Sequence, residues 1–356
     1  MDEGRFAPVA RLLARAVERR VCPALAFETG TRARVLWRHA AGRLTYEPDA
    51  VAASLDTVYD LASLTKAIAT TSLCMRLVDR GRLALDELVR ACLPAWRGTD
   101  RETVTVADLL EHAGGLTAHL PFFRDHRGRA EFEHAICTLP LEYVPRTRSI
   151  YSDLGFMLLA FIVADTGEAP LDDQWDRLAA DLDLTDLRFR PPAAWRPRIA
   201  PTEVDPWRGR LLQGEVHDEN GWALGGVAGH TGLFGTAGAV GRFARTVLRT
   251  TRGDTALARR TTLSRFLRRS AVPGSSRALG WDTMRPSSSC GHRLSTAALG
   301  HTGFTGTSLW IDPERDLYVV LLTNRIHPTR QNEAILDLRP AVHDAVVDAI
   351  GDGPER

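Results

Sequence analysis

The signals for extended chain in this 356-residue sequence stand at its two ends, with helical patterning between them. Near the C-terminus, Phe304 to Ile311 and Leu317 to Asn324 are β-rich runs separated by Asp312-Pro313-Glu314-Arg315, a turn sequence, so they read as an antiparallel hairpin. Near the N-terminus, the apolar run at 23–27 and Ala33-Arg34-Val35-Leu36-Trp37 read as strands. They follow a helix in which Phe6, Val9, Leu12, Leu13, Ala16 and Val17 recur at helical spacing. Asp56-Thr57-Val58-Tyr59 adds another strand-like piece. From there to about residue 185 helical patterns dominate: 63–80, stopped by Gly81, then Val106 to His112 and Leu154 to Asp165. Pro191, Pro192, Pro197, Pro201 and Pro206 fit no long regular element and read as a connection. A terminal helix covers about 331–350. Strands from the two ends bury their faces most simply in one shared sheet. The expected fold class is therefore α/β of the α+β kind, an antiparallel sheet flanked by N- and C-terminal helices plus an inserted all-α domain. Residues 1–62 and 205–356 would form the sheet-plus-helices domain and 63–204 the mainly helical one.

Charge narrows the partners. Lys plus Arg total 45 against 44 acidic residues, a net of +1, so no global field holds a polyanion or an acidic membrane. Neither nucleic acid nor membrane is expected as a partner. Five cysteines (Cys22, Cys74, Cys92, Cys137, Cys290) stand singly, without zinc or disulfide spacing. Arg11, Arg15, Arg19 and Arg20 break any N-terminal apolar run, and residues 221–241, though uncharged, hold eight glycines. The expectation is a cytoplasmic protein without a transmembrane segment.

Inside the basic count lies the sharper observation: 44 arginines and one lysine, Lys66. It ends Ser63-Leu64-Thr65-Lys66, where i, i+3 spacing sets a hydroxyl and an amine one turn apart on one helix face. An amine that takes a serine proton near pH 7 must be neutral, which asks its pKa to fall by about three units from ~10.4. Arginine starts far too high to serve, so this position has a chemical reason to be Lys. Tyr151-Ser152-Asp153 precedes another helix and offers a phenol as proton carrier or general base. His301-Thr302-Gly303 reads as the opening of the penultimate strand, where glycine lets a substrate carbonyl approach the backbone.

In the order SxxK, YxD, HTG, the three motifs resemble the serine β-lactamase and penicillin-binding-protein superfamily, on its class C-like, DD-peptidase and family VIII esterase side. Asp60 to Lys66, Leu83 to Glu87, Val104 to Leu116 and Gly300 to Asn324 share the likeness. The resemblance implies an active site between the two domains. It implies Ser63 as the acylated nucleophile, Lys66 and Tyr151 sharing its proton, and the N–H groups of Ser63 and Phe304 as an oxyanion hole. It gives Asp153, His301, Thr302, Gly303 and Phe304 to substrate binding. Two positions depart from the pattern. Asp153 replaces the usual Asn and favours a protonated Lys66, so either Tyr151 carries more of the proton transfer or Asp153 points away. His301 replaces a frequent Lys and, mostly neutral at pH 7, is a weaker anchor for a substrate carboxylate.

Other candidates yield less. His112, His119 and His126 recur every seven residues, but Gly114, Gly115 and Pro121 break the helix that would align them, so no metal is expected. The glycine-rich run from Gly225 to Gly235 lacks a phosphate-binding pattern and reads as a structural loop beside the cleft. Phe122 and Phe123, with Trp222 or Trp281, are candidates for an apolar acyl pocket or for ordinary core. The arginine excess reads as solvated surface, with one Arg near the cleft. The expected activity is acyl transfer through acyl-Ser63, first as hydrolysis of a small-molecule ester or amide, without metal or cofactor. Transfer to an amine or alcohol acceptor in a biosynthetic, secondary-metabolite pathway stands second, and a D-amino-acid peptidase or β-lactamase third. A non-catalytic binder is the contrasting class.

Overall fold

Strands from the two ends of the chain meet in one antiparallel sheet, as the sequence predicts. A computed structural model describes residues 4–351, so residues 1–3 and 352–356 of the ranges above lie outside the described residues. The strands are β1 (Ala24–Gly30), β2 (Val35–Gly42), β3 (Arg277–Ala278), β4 (Trp281–Thr283), β5 (Leu299–Thr302), β6 (Ser308–Asp312) and β7 (Leu317–Thr323). Their order is β2-β1-β7-β6-β5-β4-β3, every neighbouring pair antiparallel.

Both faces of the central β1–β7 pair are covered, so the two-residue period of a strand decides what each side chain meets. Leu25, Phe27, Val319 and Leu321 join Val9 and Leu13 of the Ala7–Glu18 helix and Val342 and Val346 of the Ile335–Ile350 helix. Ala24, Ala26, Val320 and Leu322 face the other way, toward Val240, Phe243 and Ala244 of the Ala237–Thr251 helix. Glu28 is the charged residue in β1. It is fully buried and satisfied by Tyr318 Oη at 2.6 Å, Arg38 Nε at 2.6 Å and Arg245 Nη1 at 3.0 Å.

A second, smaller sheet marks where the chain leaves this layer and returns. Tyr59–Asp60 pairs with Leu233–Gly235, whose other edge pairs with Leu187–Phe189. Between Asp60 and Leu187 the regular elements among the described residues are all helical, centred on the almost wholly buried Asp153–Gly167 helix. None is a single helix long and apolar enough to cross a membrane.

Several predicted bounds shift. The 63–80 helix is π-helical over Lys66–Thr70 and α-helical over Thr71–Asp79, a local widening of the kind often found at functional sites. The first strand pair continues to Gly42, and the terminal helix begins at Ile335. His301-Thr302-Gly303 does not open the penultimate strand. His301 and Thr302 end β5, and a tight turn closed by the Gly303 N–H on Thr307 O at 2.8 Å delays β6 until Ser308.

Asn324, at the end of β7, ties three segments together. Its Nδ2 donates to Leu44 O and Pro201 O, both at 2.9 Å, and its Oδ1 accepts the Ala24 N–H at 3.1 Å. Asn324→Ala strands three buried backbone groups and is expected to cost at least about 2 kcal/mol of unfolding free energy, read from urea denaturation.

Candidate active site

The turn before Ser63 is held in an unusual shape. Ala62 has φ of +46°, a left-handed conformation that costs a non-glycine residue roughly 1 kcal/mol or more. Asp60 pins it: one carboxylate oxygen accepts the Ala62 N–H at 2.8 Å and the other the His217 N–H at 2.8 Å. From the far side, Thr305 Oγ1 donates to Asp60 O at 2.7 Å and Thr307 Oγ1 to Leu61 O at 3.0 Å. The end of β5 is thereby bolted to the start of the Ser63 helix. Gly303 sits in the joint, where a Cβ would lie 2.5 Å from Leu61 O and 2.1 Å from Thr307 Oγ1. Its lack of a side chain serves this contact between two backbones, a use the sequence reading assigned to a substrate carbonyl.

Lys66 is fully buried behind Ser63. Its Nζ donates to Ser63 Oγ at 2.9 Å and to His230 O at 3.1 Å, and it lies 2.7 Å from Asp153 Oδ1. A carboxylate this close to a buried amine favours the ammonium form. Burial pulls the Lys66 pKa down, but the Asp153 carboxylate and neighbouring Tyr151 outweigh it and leave it above the ordinary lysine value. For Asp153, burial pushes up, while Lys66 and His119 more than compensate and hold it well below the usual carboxylate range. Asp153 therefore points at Lys66, and the alternative in which it turns away is overturned. His119 Nδ1 stands 3.5 Å from the second Asp153 oxygen, and that contact raises the imidazole pKa.

Tyr151 lies across Lys66, with Nζ 4.8 Å from its ring centroid and the Arg277 guanidinium carbon 5.0 Å from it. The His301 ring is 5.8 Å away. His301 Nδ1 is 2.8 Å from Thr302 O, and since a carbonyl only accepts, Nδ1 carries the proton and Nε2 the lone pair. Nε2 is buried without a protein partner. Burial, then Lys66 and Arg277, pull the His301 pKa down to about 3. At neutral pH this residue is an acceptor and not a cation.

A cavity of about 680 Å³ opens onto this cluster, lined by every predicted site residue except Lys66: Ser63, Tyr151, Asp153, His301, Thr302, Gly303 and Phe304. Phe304 is half-exposed at its rim, its ring 5.7 Å from His217. Among the described residues, neither the Ser63 nor the Phe304 N–H donates to a protein acceptor. Sequence reasoning allowed for one arginine near the cleft; the cavity has four, Arg277, Arg325, Arg330 and Arg339. Arg330 is paired with Glu203 at 2.6 Å and Glu219 at 2.8 Å. Asp218, bonded to the buried His230 at 3.0 Å, also went unread.

The remaining candidates separate. The glycine-rich run supplies backbone acceptors, Gly229 O to Thr70 Oγ1 at 2.7 Å and His230 O to Lys66. His112 packs on Tyr151, His119 on Asp153 and His126 on Phe122. Among the described residues, no group of three His, Cys, Asp or Glu side chains is arranged to hold a metal. The aromatic acyl pocket is not formed. Trp281 is core, stacked on Phe243, and Phe122, Phe123 and Trp222 do not line the cavity. Phe123 and Trp222 pack instead on either side of Trp207.

The Beta-lactamase family model matches residues 9–342. A protein of Escherichia coli K12, provisionally named a D-alanyl-D-alanine carboxypeptidase, is 32% identical over 311 residues, 78% of this chain and 71% of that protein. Among solved structures, EstCE1, described as a hydrolase with promiscuous acyltransferase activity, superposes with a TM-score of 0.76 at 19% identity, covering 96% of this chain and 99% of its own. Simvastatin synthase (LovD) of Aspergillus terreus superposes with a TM-score of 0.74 at 18% identity, covering 96% and 98%. Those two likenesses are of fold. The family match and the Escherichia coli relative go further: the chain belongs to the β-lactamase family, within the superfamily of serine β-lactamases and penicillin-binding proteins, and is a serine hydrolase or acyltransferase.

Proposed function

We propose that the chain hydrolyses a small-molecule ester or amide through an acyl-Ser63 intermediate. The reading rests on one observation: Ser63 Oγ stands 2.9 Å from a buried amine, at the wall of a cavity that also presents two backbone N–H groups without acceptors. Ser63 attacks the carbonyl carbon, and charge develops on the carbonyl oxygen between the N–H groups of Ser63 and Phe304. Collapse of the tetrahedral adduct expels the alcohol or amine, and water then releases the acid. Lys66 takes part as an ammonium, because the Asp153 carboxylate stands 2.7 Å from it and its pKa is raised. In that state it stabilises the serine oxygen and has no lone pair to offer. The proton of Ser63 therefore goes to Tyr151, which takes it as a phenolate and, as the phenol so formed, returns it to the leaving group.

Transfer to an acceptor is the second reading, and His301 is compatible with it. Its unpartnered Nε2 suits the O–H or N–H of an incoming alcohol or amine as well as it suits water. A D-amino-acid peptidase draws on the name of the Escherichia coli relative and on the cavity arginines as partners for a carboxylate.

A fluorophosphonate probe is expected to add its mass to Ser63 and nitrophenyl butyrate to be turned over, with both lost in Ser63→Ala; labelling of that variant would refute the nucleophile. Adding alcohols or amines to the same assay measures the partition, and acylated acceptor in excess of free acid favours transfer. The proton question has a signed test. Asp153→Asn removes the charge that raises the Lys66 pKa, so an enzyme needing the ammonium loses activity at lower pH on the alkaline limb of its kcat/KM profile. If the acid limb moves to lower pH instead, Lys66 is the base.

A further inference from the structure

The reaction above leaves Arg339 unused. This residue of the Ile335–Ile350 helix is 6% exposed, lines the cavity and has no carboxylate within ion-pair distance among the described residues. A guanidinium withdrawn from water without a counter-ion is costly and asks for a reason. Its Nη2 donates to Gly303 O at 2.7 Å and to Thr307 O at 2.9 Å, so it closes the 303–307 turn from behind. Arg325 supports the same turn, through Nε on Phe304 O at 2.9 Å and its own N–H on Thr305 O at 3.1 Å.

Gly303 C=O and Phe304 N–H are the two ends of one planar peptide unit. A charged donor on that carbonyl draws electron density through the amide and makes the N–H at the other end a stronger donor. Phe304 lines the cavity, and its N–H has no protein acceptor among the described residues. We propose that Arg339 is a positioning residue that holds and polarises the Gly303–Phe304 peptide, strengthening the Phe304 N–H as an oxyanion donor. The inference rests on the acyl-Ser63 reading. In it, the cation acts on developing charge through a peptide bond.

The test loads Ser63 from nitrophenyl butyrate carrying a ¹³C carbonyl and follows the acyl carbonyl band by isotope-edited infrared spectroscopy, with single-turnover acylation measured in parallel. In Arg339→Met the band is expected to move to higher frequency and the acylation rate constant to fall about 10-fold, while the half-saturating ester concentration stays the same. Arg339→Lys, which keeps the charge, should recover most of both. Arg339→Gln, which keeps a donor and loses the charge, should not. An unchanged band and rate in Arg339→Met, or an Arg339→Gln variant equal to the parent, overturns the proposal. If Arg339→Met fails to fold by circular dichroism, the Lys and Gln variants decide alone. A parent protein that forms no adduct at Ser63 overturns the serine reading and this inference with it, whereas a normal adduct with an indifferent Arg339 overturns this inference only.

Discussion

An ammonium removed from water must be given both a counter-charge and acceptors for its three protons. For Lys66 these come from Ser63 Oγ, the Asp153 carboxylate and the His230 carbonyl. The three groups belong to segments nearly 170 residues apart in sequence, so placing one cation draws together the Ser63 turn, the start of the Asp153–Gly167 helix and the loop that leads into Leu233–Gly235. Asp153 is suited to its part twice over. It lies in the first turn of a helix capped by Ser152, where the helix dipole favours negative charge, and it faces the cation directly. The pair is close to neutral as a unit, which lets it sit behind the nucleophile without repelling an apolar substrate.

The second joint is backbone to backbone. Ala62 keeps its left-handed turn because Asp60 satisfies its N–H and because Thr305 and Thr307 hold the preceding carbonyls. These bonds are the means by which the turn before Ser63 and the C-terminal hairpin share a single wall. Two potential oxyanion donors thus sit on pieces of chain with no common secondary structure, and their spacing is set by threonine hydroxyls and by the bare Cα of Gly303.

What could be read from the sequence was what depends on residue type alone. Lys66 stood out because arginine cannot do its chemistry, and Ser63, Tyr151 and His301 followed from their motifs. That strands from the two ends share one sheet followed from their β-rich, apolar runs. β3 and β4 were missed because two or three residues of mixed polarity carry no period. The Gly303 joint was not legible because a glycine's need for space is set by what packs on it, here Leu61 from far upstream. The cavity arginines were invisible for the opposite reason to Lys66: among 44 identical residues, nothing local separates a buried Arg339 from one on the surface. The tautomer of His301 depends on a carbonyl one residue away and could be assigned only with the backbone in place.

The same scarcity that exposed Lys66 gives the protein an unusual outer chemistry. Its surface cations are guanidinium groups, and its one side-chain amine is fully enclosed behind the nucleophile. Reagents that acylate or alkylate lysine therefore find no exposed side-chain amine while the fold is closed. Any such modification at Lys66 would record a moment when the Ser63 turn, the Asp153 helix and the His230 loop had come apart, making this residue a built-in clock for local opening at the heart of the site.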